Sequence, residues 1–532
     1  MWRLAADRRL IEVQETARRI ASEVVMPALA AGAADSPAWT EAKASVLDAL
    51  DQAGLCSLFG SLAVGLAAAE LAAADGGAAT CLLSAYLAQM VVRDFGTVEQ
   101  KARYLDRARY PYAALCLTEP LPGAGVDALS LTGCARLAEA PQGTEPLLDV
   151  EKRGRLISHV EFASFILLAV GSGDPRLAGG CVIVAEAGDE GLFDRGVPAR
   201  KLGHRLSSVT SPAFRLRIPA SRILGRYTAE DDRLVPRVGY RQALEPALRR
   251  CRPVVALMTA GKLLATMETV HAHGLLDLDS AICLVDAWAD AEAAASLALE
   301  AARLSDRLDA CSPSPADLVV EATVAGAAAR LFCTAHATRR MTQFAALPDV
   351  LGRVMDAQVE AVYLGAESLQ RRHLAASMAA PAFQSRLAAW IEEAEDLGSL
   401  QAGLALLGWT LEFLRRMCLL TDARQGVGFP LADAVCRLLA AQALAADVRA
   451  LRAAGGPALR FFEDLSVVES AAAASGVAQI CTTAVFGYIG PNDPVQEALC
   501  AFSTLRAALD KSLASAPAAR SRAAAFLLGS FD

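Results

Sequence analysis

Aromatic residues are scarce in this 532-residue sequence, 6% in all, and charged residues reach only 21%. So few aromatics disfavour a β-rich architecture, and the abundant alanine favours closely packed helices. Positive charge is also short: 51 Lys and Arg against 59 Asp and Glu leave a net charge of −8. That balance exerts no pull on nucleic acid or an anionic lipid surface, so neither is expected as a partner. The 13 cysteines run from Cys56 to Cys500 with no CxxC pair and no Cys/His cluster at metal spacing. An odd, scattered set reads as reduced thiols rather than a disulfide framework or a zinc site. Long apolar runs are missing too: the most apolar stretches, such as 57–70 and 402–409, are shorter than the ~20 residues of a bilayer span. The opening, MWRLAADRRLIEVQETARRI, is charged and helical, with neither an apolar core nor a cleavage site. A cytoplasmic protein with no membrane partner is the expectation.

What is present is a chain with 54% hydrophobic residues, too long for one ordinary core. Residues 1–112 carry helical periodicity, through LIEVQETARRIASEVV and TCLLSAYLAQMVVRDF. From 113 to 225 the texture is strand-like: AALCL, RLISHV, FILLAV, CVIVAEA and FRLRIP, separated by Gly/Pro turns. Helical periodicity returns over 226–380 and continues over 381–532, with breaks expected at GVGFP and AAGGP. The order is helices, a compact β unit, helices, more helices. This is an α+β class without the alternation of most large α/β enzymes.

Four segments in this order resemble the acyl-CoA dehydrogenase family. GTVEQKARYL at 96–105 is similar to GTxEQKxxYL at the end of the family's N-terminal helical domain. ALCLTEP at 114–120, with GAGVD at 123–127, resembles the strand and loop CxTEPxAGSD. KLGHRLSSVTSPAFRLRIPASRILG at 201–225 resembles the motif that closes the β domain. RPVVALMTAGKLL at 252–264 resembles the start of the second helical domain. The resemblance covers about residues 1–380 and implies a barrel-like β domain and a helical bundle enclosing FAD and an acyl thioester. The extension beyond 380 resembles the duplicated helical domain of the long members: ADAVCRLLAAQALAADVRALRAA is similar to AWADAEAAASLALEAARLSDRL.

In that family a glutamate removes the α-proton while a hydride leaves to the flavin. Its usual loop, RDAxxxxIYEGTxxIxR, corresponds here to MDAQVEAVYLGAESLQR at 355–371. Tyr363 and Gly365 are retained, and Leu364 stands where the glutamate is expected. The alternative position for a base, on the helix opening the second helical domain, is Cys251. Glu360 and Glu367 are the remaining carboxylates near the loop, and Glu367 lies one helical turn beyond Leu364. Glu367 is therefore the candidate base, against its other reading as a solvated surface charge. Leu364, through its backbone N–H, and Arg252 are the candidate substrate contacts.

For the cofactor, the resemblance implies Leu117 and Thr118 of the TEP strand, Ser158 in place of the WIT threonine, and Gln343 of the QxxGG turn. Leu156 replaces the tryptophan of the WIT motif, and the QxxGG turn reads Gln343-Phe344-Ala345-Ala346-Leu347, with Ala346 and Leu347 at its glycines. The pyrophosphate arginine is missing from GLLDLDSA. Both a flavin-bound and a flavin-free state stay open at this point.

The leading expectation is a protein acting on an acyl thioester, on CoA or on a carrier protein, with chemistry altered from dehydrogenation. The competing expectations are a non-catalytic half-site subunit and an ordinary dehydrogenase using Glu367. The resemblance implies a homodimer or a heteromer with a related chain.

Overall fold

The computed structural model describes residues 7–32, 38–106, 108, 112–120, 131–139, 144–230, 232–274, 277–363, 365–420, 425–455, 458–487 and 496–529. Two compact units result. One holds 12–251 together with 362–365, and the other holds 1–11, 252–361 and 366–532.

The first unit begins with helices. Ser61–Ala74 and Gly76–Phe95 are apolar nearly all round, and both are almost wholly buried. A helix without a polar face belongs inside a core. Asp75 starts the second of them, its side chain accepting from Ala78 N at 3.1 Å. The same carboxylate accepts from the backbone of Arg205 and Leu206. Gly77 permits this approach, because a Cβ there would meet Ser207 N at 2.7 Å. Val98–Tyr104 follows with a capping box of Thr97 and Gln100, the signature contained in GTVEQ.

The β unit comprises β1 (Ala113–Cys116), β2 (Cys134–Ala138), β3 (Leu147–Arg153), β4 (Ile157–Ser158), β5 (Phe165–Ser172) and β6 (Cys181–Glu186). β7 (Glu190–Asp194), β8 (Ala199–Arg200), β9 (Ser208–Thr210), β10 (Ala213–Pro219), β11 (Tyr227–Glu230) and β12 (Arg233–Pro236) complete it. One sheet runs β1-β5-β2-β3-β10-β7 with β6 added to β5, and β4-β9-β8 forms a second. β10 alternates inward Phe214, Leu216 and Ile218 with outward arginines, the period-two pattern that FRLRIP displays.

Three sequence expectations are corrected here. Strand structure extends past Gly225 to Pro236, in a hairpin whose YTAE and RLVP arms are too short to stand out. RLISHV pairs only at Ile157–Ser158, because Leu156 and His159 are left-handed at φ 56° and 55°. GVGFP does not break a helix: Pro430 lies within Gln425–Ala454, where it forfeits one backbone hydrogen bond to the residue four before it. The AAGGP break does occur, with Gly455 at φ 74°.

The second unit is helical. Leu278–Ala310 packs against Ala316–Leu331, Gln425–Ala454, Leu459–Phe486 and Ala516–Leu527. The 381–532 helices thus share a core with the bundle. Four helices, Tyr240–Ala272, Ala316–Phe344, Gln425–Ala453 and Leu459–Phe486, are long and apolar enough to cross a membrane by length and composition. This overturns the expectation that no apolar segment reaches span length. Alanine conceals the length, since its modest hydropathy never forms a dense run. Between 61% and 78% of those windows is buried within the protein.

Candidate functional site

The candidate residues fall in both units. Leu117, Thr118 and Ser158 belong to the first, and Arg252, Gln343 and Glu367 to the second. Leu364 lies outside the described residues, as does the GAGVD loop.

β1 runs into Leu117, Thr118 and Glu119. Leu117 is buried and Thr118 is exposed. Glu119 turns inward and accepts from Lys152 Nζ at 2.6 Å, Thr132 N at 2.5 Å and Gly133 N at 2.8 Å. Burial pushes its carboxyl pKa up, but Lys152, Thr132 and Gly133 outweigh that and hold it below the usual carboxylate value. Lys152, with its side chain fully buried, also donates to the Leu117 carbonyl at 3.2 Å. The glutamate of TEP is therefore an anchor for the strand end. Thr118 is committed as well: its hydroxyl donates to the Arg155 carbonyl at 2.8 Å, and its carbonyl accepts from Arg155 N at 3.0 Å.

Ser158 sits on β4 opposite Val209 of β9, between two left-handed residues. Leu156 is 61% exposed and His159 is buried. Left-handed backbone at a non-glycine residue carries a cost and concentrates where function constrains the chain. Among the described residues Ser158 makes no side-chain hydrogen bond, so its hydroxyl is available.

Behind this wall lies a polar interior. Cys81 Sγ is 3.3 Å from His159 Nε2. Burial, and then Asp75, push the thiol pKa up, while burial with Lys201, Lys43 and His204 pushes the imidazole down. Both are neutral at physiological pH, so Cys81 is not a nucleophile. Lys43, stacked over Trp39 at 3.7 Å, pairs with Glu161 at 2.5 Å, and Ser208 donates to the same carboxylate.

The segment 362–365 belongs to this unit. It follows the helix Pro348–Val362 and precedes Glu367–Met378. The Tyr363 ring meets His204 edge-on at 6.4 Å. Burial raises its phenol pKa, with Ser84 and Thr80 hydrogen-bonded to it in partial opposition. Gly365 takes φ 105°, a conformation that only glycine adopts cheaply. Both neighbours of Leu364 are therefore held in a defined turn.

Cys251 does not offer a base. It is completely buried, and burial pushes its thiol up to about 12 against the lowering influence of Arg250. Arg250 itself pairs with Asp94.

In the helical unit Glu367 is the first residue of its helix, where the helix dipole favours a carboxylate. It pairs with Arg371 at 3.3 Å, and Arg371 Nε donates to both oxygens of Asp433 at 3.0 and 3.2 Å. Glu367 is thus one end of a charge network. Glu360 is wholly buried, paired with Lys262 and accepting from Thr259 Oγ1 at 2.6 Å. Arg252 Nη2 donates to the His373 ring, whose pKa burial and Arg252 lower to about 4. Gln343 is exposed in the 3-10 turn Thr342–Phe344. Ala345 continues that turn at φ −66°, and neither Ala346 nor Leu347, at the glycine positions, has a positive φ, so no glycine-type opening forms.

His336, Asp433 and Cys436 place ligand atoms within 4.8 Å of one another, a distance that suits a metal. Two guanidiniums already serve these atoms. Arg371 holds Asp433, and Arg437 donates to His336 Nδ1 at 3.1 Å. His336 Nε2 lies 3.2 Å from Asp433 Oδ1, which completes a chain of charge and hydrogen bonds without a cation. Sequence reasoning missed Thr80, His204, Lys262 and Asp433. His204, Lys262 and Asp433 lay inside segments that carry the resemblance, and Thr80 lay outside them.

The acyl-CoA dehydrogenase N-terminal domain model matches residues 9–109. Among solved structures, an acyl-CoA dehydrogenase from Bacillus anthracis complexed with FAD superposes with TM-score 0.76, covering 98% of this chain and 95% of that one at 16% identity. Residues 9–109 thus match an acyl-CoA dehydrogenase N-terminal domain, and the chain as a whole has the acyl-CoA dehydrogenase fold. Butyryl-CoA dehydrogenase from Megasphaera elsdenii gives TM-score 0.53 and 18% identity, covering 68% of this chain and 95% of its own. Glutaryl-CoA dehydrogenase from Mycobacterium smegmatis gives 0.54 and 17%, covering 70% and 95%. The difference in coverage marks this chain as a long acyl-CoA dehydrogenase fold, its C-terminal helices included. No curated protein matches the sequence.

Proposed function

We propose that this acyl-CoA dehydrogenase-like chain binds an acyl thioester, on CoA or a carrier protein, and does not carry out ordinary α,β-dehydrogenation. The observation that carries this reading is the retained turn around a lost carboxylate. Tyr363 is anchored, Gly365 adopts φ 105°, and the residue between them is a leucine. A leucine side chain accepts no proton, and positioned acid–base catalysis contributes ~10²–10⁴-fold. A backbone N–H in a preserved turn still polarises a thioester carbonyl, which suits altered chemistry on an activated acyl group.

FAD is the cofactor in this reading. Ser158, with its uncommitted hydroxyl, and the backbone at Leu117 and Thr118 fit the ring side. Gln343 is the candidate on the other unit, although the closed turn at Ala345 gives no close backbone approach there. When bound, the flavin supplies a hydride acceptor. The chain's own residues hold the acyl carbonyl and exclude a base. Glu367 is tied to Arg371 and Asp433, so we do not assign it proton transfer. Arg252, donating to His373, is the further proposed substrate contact. We take the protein to be cytoplasmic and a homodimer or a heteromer with a related chain.

The second reading, a half-site subunit, is favoured by the same closed turn at Gln343–Ala345. Its partner would be a related chain carrying an intact YEGT-like segment.

The test is the Leu364→Glu variant, assayed with saturated acyl-CoAs, a dye acceptor and added FAD. The wild type is expected to be inactive and the variant active. Robust wild-type activity that Glu367→Gln abolishes would sink the proposal. No gain in the variant, with no flavin absorbance after gel filtration, would favour the half-site subunit.

A further inference from the structure

One polar cluster in the first unit has no part in the reading above. Thr80, on the helix Gly76–Phe95, is completely buried, and so is His204. The Thr80 hydroxyl donates its single proton to the Gly76 carbonyl at 2.8 Å. Its oxygen also lies 3.0 Å from His204 Nδ1 and hydrogen-bonds the Tyr363 phenol. A hydroxyl has one proton and two lone pairs. One buried hydroxyl thus links the helix backbone, His204 and Tyr363. The histidine edge-packs on the same tyrosine ring at 6.4 Å, from a left-handed backbone at φ 54°. A costly conformation at a buried histidine is the kind of outlier that a functional constraint maintains.

We propose that Thr80 and His204 are positioning residues for the acyl-thioester site. They fix Tyr363, and through it the turn that carries Leu364. The proposal rests on the reading that this turn faces the thioester. Tyr363 is then the joint between a rigid buried helix and the turn, and Gly365 supplies the reversal on the other side. Displacing a reacting group by ~1 Å costs ~10²-fold in rate, so a clamp on the adjacent residue has a kinetic consequence without touching substrate.

The experiment uses the full chain and has two readouts. In the Leu364→Glu background, Thr80→Val and His204→Phe each remove one side of the hydrogen bond. Each is expected to lower kcat by ~10-fold or more, with KM changed less than about twofold. Thr80→Ser and His204→Asn are expected to restore kcat, because serine keeps the hydroxyl. Asparagine offers both a donor and an acceptor near the Nδ1 position and tolerates left-handed backbone. In the otherwise native chain, amide hydrogen exchange across 362–366 is expected to accelerate in Thr80→Val and recover in Thr80→Ser. Unchanged kcat and unchanged exchange in Thr80→Val would overturn the proposal. If Leu364→Glu is inactive, the functional reading fails, and exchange decides the clamp alone: acceleration upholds it, no change refutes it. If His204→Phe does not fold, the Thr80 pair carries the same decision.

Discussion

Lys262 and Glu360 offer the sharpest energetic test in the helical unit, because both side chains are 0% exposed. Lys262→Met removes the ammonium that pairs with the carboxylate, which also accepts from the Thr259 hydroxyl at 2.6 Å. Arg330 donates to the Glu360 main-chain carbonyl. An uncompensated buried charge costs ~3–5 kcal/mol, whereas replacing both members of a buried pair with apolar groups is often neutral. The expected single-variant loss corresponds to a melting-temperature fall of ~6–20 °C at ~2–4 °C per kcal/mol. The double variant Lys262→Met, Glu360→Met is expected within ~1 kcal/mol of the native protein. Differential scanning calorimetry on all four members of the cycle provides the measurement. A fall below ~2 °C for Lys262→Met, or a double variant as unstable as the single, would refute the reasoning.

Thiol chemistry should be sharply divided. Cys283, Cys418 and Cys500 are exposed and react first with a disulfide reagent at neutral pH, whereas Cys116, Cys181 and Cys251, each pushed up to about 12 by burial, react only after denaturation. Fast labelling of Cys251 would count against its assignment as inert. Glu119 should stabilise the β unit above its unfolded value near 4.5, and that contribution is lost as pH falls through its lowered folded value. Glu119→Gln, which strands Lys152, is expected to cost ~3–5 kcal/mol and to flatten the acid limb of melting temperature against pH. Asp290 and Glu469 act in the opposite sense. Burial raises both, the Asp290 charge raises Glu469 further, and Arg340 draws Asp290 down again. The folded state therefore retains a proton that the unfolded chain releases, so their contribution is full at low pH and declines as pH rises. Glu469→Gln should remove that alkaline decline, and an unchanged profile would contradict it.

The fold was readable because its signals are local. Alternating FRLRIP, the capping box in GTVEQ and the helical period of TCLLSAYLAQMVVRDF each prescribe an element from a few adjacent residues. The candidate site was readable only where a motif names a residue, as with Leu364 between Tyr363 and Gly365. Its supports were not, because they are pairings across the chain. Thr80 and His204 lie 124 positions apart, and Lys262 and Glu360 lie 98 apart. Periodicity carries no information about such pairs. Motif resemblance is also silent on commitment: the Thr118 hydroxyl is bonded to Arg155 and Glu367 to Arg371, and sequence spacing cannot reveal that a polar group is already engaged.

The shared core of the helical unit bears on how the protein is made. Ala316–Phe344 has a mean hydropathy of 1.5 over a span-length window, 78% of it buried, and it is covered by Leu278–Ala310 and Glu367–Met378 first and by Gln425–Ala454 after them. Until the ribosome has delivered those later residues, the earlier helices present surfaces whose hydropathy and length suit the interior of a bilayer. Completion of this core must therefore wait for those later helices. A chain cut near residue 380 would leave uncovered the face of Leu278–Ala310 that Gln425–Ala454, Leu459–Phe486 and Ala516–Leu527 pack against.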